Sequence, residues 1–331
     1  MPSTIGALGY AVVLAVLYKH REEFHKKHNF YLLVWNLALA DMGMFLAQYV
    51  VAVPLSITGM PLYGSGTMLI TLANMDTLFF RGCLLTSLVI AFNRFSLFVM
   101  RPVYDFLFEE RFRIKVMIAV IWAIGLFKVV IRWGMGRPKI FNHRFFFFTF
   151  LKIHPNDTAQ REFNDRYFIS HVDWLMIHFE NYVQYAALLF YVATYVKLTM
   201  MRGIGGGGKS SSSPGEKKSM SLETSLLLQG VIITMVTQLE IMAFYFGKDL
   251  MKLSQWLFGS SFIGGLSISW MVIINSSINP FIFLVFNKTV RKKAYFMLSG
   301  EQEVKVISVA PTLKSTAVSA AATPRVNNWT Q

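Results

Sequence analysis

The sequence predicts an all-α protein, a seven-transmembrane helix bundle followed by a short amphipathic eighth helix. Three observations carry this prediction. The chain is 54% hydrophobic and only 15% charged, with a mean hydropathy of +0.46. Its apolar runs recur at loop-sized intervals, and several approach the roughly 20 residues a helix needs to cross the hydrocarbon. Its basic residues, which give a net charge of +14, sit between those runs rather than along a soluble face. They therefore read as inward-facing membrane loops, not as a nucleic-acid surface. A multi-pass protein of the plasma membrane is expected, with residues 1–298 as the membrane domain. Residues 299–331 form a small, polar, Ser/Thr-containing tail, expected to be disordered and cytoplasmic.

The first span, residues 5–18, ends at a basic stretch from Lys19 to Lys27 and is short of a full crossing. A first helix truncated at its outer end is the expectation, without a cleavable signal peptide, since no small-residue cleavage site follows the apolar run. The second span, 31–57, carries Asp41 about midway, where a carboxylate costs several kcal/mol unless it is protonated, paired or hydrated. The third, 66–99, carries Asp76 and Arg81, and ends in Asn93-Arg94-Phe95 before an aromatic, charged loop. In the fourth, 112–135, Lys128 and Arg132 stand one turn apart near the outer end. There they either snorkel outward or line a basic pocket for a carboxylate.

Residues 137–170 read as a long outer loop with an Asn156-Asp-Thr158 glycosylation sequon. The fifth span, 171–201, opens with His171, Asp173, His178, Glu180 and Asn181. His171 and His178 share a helix face but lack tight His-x-x-x-His spacing, so pocket lining fits better than a metal site. A flexible inner loop follows over 203–218. Its Gly203-Ile-Gly-Gly-Gly-Gly-Lys-Ser210 formally satisfies a phosphate-loop pattern, but a membrane helix precedes it and a serine run follows, so low complexity explains the match. The sixth span, 220–246, holds Glu223 at its inner end and Glu240 toward its outer end.

The seventh span, 255–286, contains Asn275-Ser-Ser-Ile-Asn-Pro280 and ends on the basic run from Asn287 to Lys293. Proline deprives a carbonyl of its helix donor and asparagine brings an amide needing partners, so other groups must satisfy both inside the bilayer. Beyond it, Val290, Ala294, Met297 and Leu298 share one face while Arg291, Lys292 and Lys293 cover another. That pattern suits an eighth helix lying on an anionic leaflet. Cys83 is the single cysteine, which excludes an intrachain disulfide and any CxxC metal site.

These motifs, in their order, resemble those of rhodopsin-like (class A) G-protein-coupled receptors. The seventh span is similar to that family's Asn-Ser-x-x-Asn-Pro-x-x-Tyr, with Phe283 in place of tyrosine. Asn36-Leu-Ala-Leu-Ala-Asp41 matches Asn-Leu-x-x-x-Asp, and Gly9-Tyr10-Ala-Val-Val13 resembles Gly-Asn-x-x-Val with Tyr10 for asparagine. Trp122 fills a position the family usually gives to tryptophan. Asn93-Arg94-Phe95 stands where the family carries Asp-Arg-Tyr, and this variant is common among nematode serpentine chemoreceptors, to which the chain is most similar. The outer disulfide and the Cys-Trp-x-Pro motif of the sixth helix are missing.

The resemblance implies that Arg94 meets a heterotrimeric G protein, with Asn93, Asn279, Pro280 and Phe283 in the activation machinery and Glu223 as a substitute for the missing acid beside Arg94. It implies that Asp41, Asn275, Ser276 and Asn279 line a polar core, read either as a sodium pocket or as a hydrogen-bonded network without an ion. Asp76 lies where amine receptors bind an ammonium; alternatively it pairs internally with Arg81, or with Lys128 and Arg132. Asp76, Arg81, Lys128, Arg132, His178 and Glu240 are the candidates for contact with a small-molecule ligand. A transporter of small charged solutes is the alternative, in which these charges form a substrate path, but no second half resembling an inverted repeat appears. No nucleophile, base and metal constellation supports an enzyme.

Overall fold

Hydrocarbon offers a backbone no water to bond, so an apolar run must close its hydrogen bonds within itself. The computed structural model describes residues 2–22, 29–52, 66–134, 139–142, 147–150, 167–205 and 214–299, and nearly all of these are helical. The elements are α1 (Pro2–Lys19), α2 (Phe30–Ala47) with a π turn (Gln48–Ala52), α3 (Gly66–Val99), α4 (Arg101–Phe108), α5 (Arg111–Gly134), β1 (Lys139–Asn142), β2 (Phe147–Phe150), α6 (Tyr167–Gly205), α7 (Pro214–Tyr245), α8 (Gly247–Phe258), α9 (Ser261–Phe286) and α10 (Lys288–Ser299). The Asn156 sequon, the centre of the Gly/Ser loop and residues 300–331 lie outside the described residues, as do the side chains of Arg132, His171, Asp173 and Glu223.

Seven helices, α1, α2, α3, α5, α6, α7 and α9, form the bundle. The long α3 is its axis, with α2, α5 and α6 packed along it and α7 touching it. On the other side α9 closes the ring against α1, α2 and α7. One apolar cluster joins α1, α2, α3, α9 and α10 through Val13, Leu17, Leu37, Cys83, Phe283 and Val290. A second joins α3, α5, α6 and α7 through Leu84, Leu85, Ile121, Val183 and Ile241. By length and apolarity alone Phe30–Val51, Ile70–Val99, Arg111–Ile131 and Ile263–Phe286 suffice to cross a membrane, whereas Gly6–Lys19 and Leu227–Ala243 are shorter apolar stretches. Along α5 the residues Val116, Val120, Phe127 and Val130 face outward, where the bilayer supplies their apolar surroundings.

Four local expectations change. The loop after the third span is partly helical: Pro102 sits in the first turn of α4, where its missing N–H costs nothing, and Arg101 pairs with Asp105 one turn on at 3.0 Å. The long outer loop contains an antiparallel hairpin, with Lys139 opposite Phe150 and Asn142 opposite Phe147. The inner loop 203–218 is shorter than its composition suggests, because α6 runs on to Gly205 and α7 starts at Pro214.

The seventh span is shorter than its apolar run. Residues 255–258 belong to α8, which ends at Gly259 in the left-handed region (φ 67°). There the chain doubles back, and α8 packs along the outer part of α9. Their approach needs Gly264, since a Cβ there would stand 2.9 Å from Met251 Cα.

Candidate functional site: a polar axis through the bundle

Pro280 lacks an N–H, so the carbonyl of Ser276, four residues earlier, loses its helix donor. Tyr10 of α1 supplies the replacement: its hydroxyl donates to Ser276 O at 2.7 Å, deep in the bundle, with the residue 2% exposed. The helices meet closely here because Gly9 has no side chain; a Cβ at Gly9 would touch Pro280 at 3.2 Å. The residue that departs from the Gly-Asn-x-x-Val pattern is thus the one that caps the proline break.

Asp41, fully buried, sits one turn further in. Its Oδ2 accepts from Asn279 Nδ2 at 2.9 Å, and its Oδ1 accepts from the Cys83 thiol at 2.9 Å. Asn275 and Ser276 turn elsewhere. Asn275 donates to Glu240 Oε2 on α7, with Thr237 Oγ1 3.4 Å from its carbonyl oxygen. Ser276 Oγ bonds back to Val272 O at 2.9 Å. Of the expected partners, only Asn279 reaches Asp41; the others point to different sides of α9. A thiol and an amide N–H are donors, and both would have to turn away for an oxygen cage to close around a cation. As it stands, Asp41 is met by two hydrogen-bond donors, the arrangement of the network without an ion. Asn36, from the same motif as Asp41, ties three helices: it donates to Thr86 Oγ1 at 2.6 Å and accepts from Trp122 Nε1 at 2.8 Å.

Toward the outer end lies a layer of buried charge. Asp76, 3% exposed, pairs with Lys139 of β1 and accepts from Gln48 Nε2 at 3.0 Å. Asn74 Oδ1 accepts the backbone N–H of Lys139 at 3.3 Å, so α3 holds β1 by side chain and backbone together. Among the described side chains, the internal partner of Asp76 is therefore Lys139 of the outer hairpin, not Arg81 or Lys128. Arg81 and Lys128 instead converge on one atom, Glu180 Oε1 of α6, with Lys128 Nζ at 2.6 Å. Glu240 takes the Asn275 amide rather than a cation of the third or fourth helix. His178, half-buried, packs against Tyr182 with ring centroids 6.3 Å apart.

At the inner end, Arg94 is 8% exposed and its Cζ lies 4.2 Å from the ring centroid of Phe30. Together they line a cavity with Tyr191 of α6, Gln229 of α7, and Phe283 and Asn287 at the end of α9. Asn93 is buried, its carbonyl accepting from Ser96 Oγ at 3.1 Å. Ser225 Oγ of α7 donates to Phe286 O at 3.1 Å, fastening the sixth helix to the seventh at this end. Asn287 caps α10, its Oδ1 accepting the N–H of Val290 at 3.2 Å. Lys293 is buried, unlike Arg291 and Lys292, and its Nζ lies 3.0 Å from His20 Nδ1 at the end of α1. Of Arg291, Lys292 and Lys293, the eighth helix therefore exposes two rather than three.

A family model described as the serpentine type 7TM GPCR chemoreceptor Srx matches residues 4–287. The chain belongs to this family. It is a chemosensory G-protein-coupled receptor and a multi-pass membrane protein, which sets aside the transporter reading and any enzyme class. No curated protein matches the chain. In this receptor, motif reading missed Tyr10, Cys83 and Lys139 as partners of the named residues, and Phe30 as the partner of Arg94. The proline at 280 did signal that some group must reach Ser276 O; which group would do so depends on how α1 packs.

Proposed function

We propose that this Srx receptor binds a small molecule among the outer ends of α3, α5, α6 and α7, and transmits binding to a heterotrimeric G protein at the inner end. It acts at the plasma membrane, with its carboxyl terminus in the cytoplasm. The observation that carries the reading is the continuous polar path along α9. Glu240 holds Asn275, and one turn inward Asn279 holds Asp41, which also accepts from Cys83 on α3. A shift of α7 at Glu240 is felt by α9, and a shift of α9 is felt by α2 and α3. A ligand moves such a bundle by its differential affinity for two arrangements of these contacts.

Arg94 is the output. It lies in a cavity walled by α2, α3, α6, α7 and α9, with the Ser225–Phe286 bond across one side. Outward movement of α7 breaks that bond and uncovers the guanidinium, the group the resemblance to nematode serpentine chemoreceptors assigns to G-protein contact. The test is basal G-protein activation in cells for the natural chain and for Arg94→Ala, at surface levels matched through a carboxyl-terminal tag. Loss of basal signal at equal surface level is the expected result. An unchanged signal would refute the role of Arg94.

A further inference from the structure

We propose that the outer ligand is recognised through a neutral primary carboxamide, held between Gln184 of α6 and Gln238 of α7. The inference rests on the receptor reading above and adds the chemical class of the molecule bound. Gln184 is 1% exposed, and neither its Nε2 nor its Oε1 has a hydrogen-bond partner. Val183 beside it and Ala187 one turn on both pack into apolar clusters shared by α3 and α7, so the amide belongs to the face of α6 turned to the bundle interior. An amide enclosed there has given up its hydration for nothing in return. In the membrane no solvent stands ready to restore it.

The facing helix repeats the pattern. Gln238 Nε2 reaches Asn181 Oδ1 at 3.4 Å, which sets how α6 and α7 lie against each other. Gln184 stands one turn inward of Asn181 and Thr234 one turn inward of Gln238, so these antiparallel helices bring 184 and 234 to the same level. Gln238 Oε1 and Thr234 Oγ1 are also buried without partners. The unmet groups are thus two amide carbonyls, one NH2 and one hydroxyl. A primary carboxamide is their complement, with two N–H bonds for the two carbonyls and an oxygen to accept from Gln184 Nε2 or the Thr234 hydroxyl. The neighbouring charges favour a neutral ligand. Arg81 and Lys128 pair with Glu180, and Asp76 with Lys139, so a charged ligand would displace a buried partner and strand it. Leu84, Ile121, Val183 and Ile241 form the apolar wall for the hydrocarbon body of the amide.

The experiment uses the purified full-length receptor in detergent, with thermal stability titrated by butanamide, hexanamide, N,N-dimethylbutanamide and sodium butanoate at equal ionic strength. The natural chain, Gln184→Leu and Gln238→Leu are compared. Both primary amides should raise the melting temperature, hexanamide at a concentration about tenfold lower than butanamide. The dimethyl amide, which has no N–H, and butanoate should not. Gln184→Leu should lose the response while melting no lower than the natural chain without ligand, because it deletes two polar atoms that had no partner. Gln238→Leu, which removes one acceptor, should need about fivefold more amide. An equal response to the dimethyl amide or to butanoate, an undiminished response in Gln184→Leu, a ligand-free Gln184→Leu that melts below the natural chain, or no response to either primary amide would overturn the proposal. Amide binding in this pattern with a basal signal that survives Arg94→Ala would support this site and sink the Arg94 output. Loss of that signal in Arg94→Ala, with no answer to the primary amides, would sink the carboxamide site alone.

Discussion

Tyr10→Phe keeps the ring, and with it the packing against Phe45 at a centroid distance of 6.5 Å, while removing one hydroxyl. What is lost is the donor to Ser276 O, which Pro280 has already deprived of its helix partner. In water-soluble cores an orphaned buried carbonyl costs roughly 1–3 kcal/mol. Membrane proteins show smaller values, averaging about 0.6 and reaching about 1.7 kcal/mol, because the unfolded chain in lipid also finds partners. With Tyr10 2% exposed and the bond at 2.7 Å, the upper part of that range, about 1–1.7 kcal/mol, is expected here.

The decisive form is a double-mutant cycle with Pro280→Ala. Alanine at 280 restores the N–H that bonds Ser276 O, so Tyr10→Phe should then cost less, leaving only what the hydroxyl contributes beside Asp41. Reversible unfolding of the receptor in mixed micelles, followed for all four forms of the cycle, measures the coupling. An equal cost of Tyr10→Phe in both backgrounds would refute the idea that Tyr10 acts by capping the proline break.

Two further outcomes are expected from the inner end. Phe30→Leu removes the aromatic face against Arg94, a contact worth about 0.5–2 kcal/mol depending on desolvation. If opening breaks it, basal nucleotide exchange at matched surface level should rise by roughly 2- to 30-fold, and Phe30→Tyr should stay near the natural value; no rise in Phe30→Leu would show that the contact survives opening. Asn287→Ala deletes the cap of α10 at a cost of about 1 kcal/mol, and amide hydrogen exchange should show faster opening at Val290 and the following turn while α9 is unaffected.

Much of the architecture is legible in the sequence, because a membrane forces it. An apolar run of sufficient length has to be a helix, and basic residues between runs have to lie outside the hydrocarbon. The second, third, fourth and seventh spans follow from those two constraints, while the first, fifth and sixth rest on shorter or more polar runs and the eighth helix on its amphipathic pattern. Asp41, Asn275, Asn279 and Pro280 were legible too, as groups that hydrocarbon does not tolerate without partners, whereas Asn36 and Arg94 were singled out by the resemblance. Apolar continuity misled at one place: residues 255–258 read as part of the seventh span, yet α8 and α9 are joined through a glycine turn that hydropathy does not register.

Partner choice is where chain patterning ended and packing took over. That Pro280 leaves a carbonyl to be satisfied is a local fact of covalent chemistry; that Tyr10 satisfies it depends on how α1 lies against α9, across 266 residues of separation. The charges of the outer layer are all visible as letters, and each demanded a counterpart. Their pairing as Lys139 with Asp76, and as Arg81 and Lys128 with Glu180, was set by the rotation of each helix and by a hairpin folding back over α3. A buried charge names its need from sequence alone, because the cost is paid by the residue itself. Which residue meets that need is decided by distances of a few ångströms between helices, and only the folded bundle contains them.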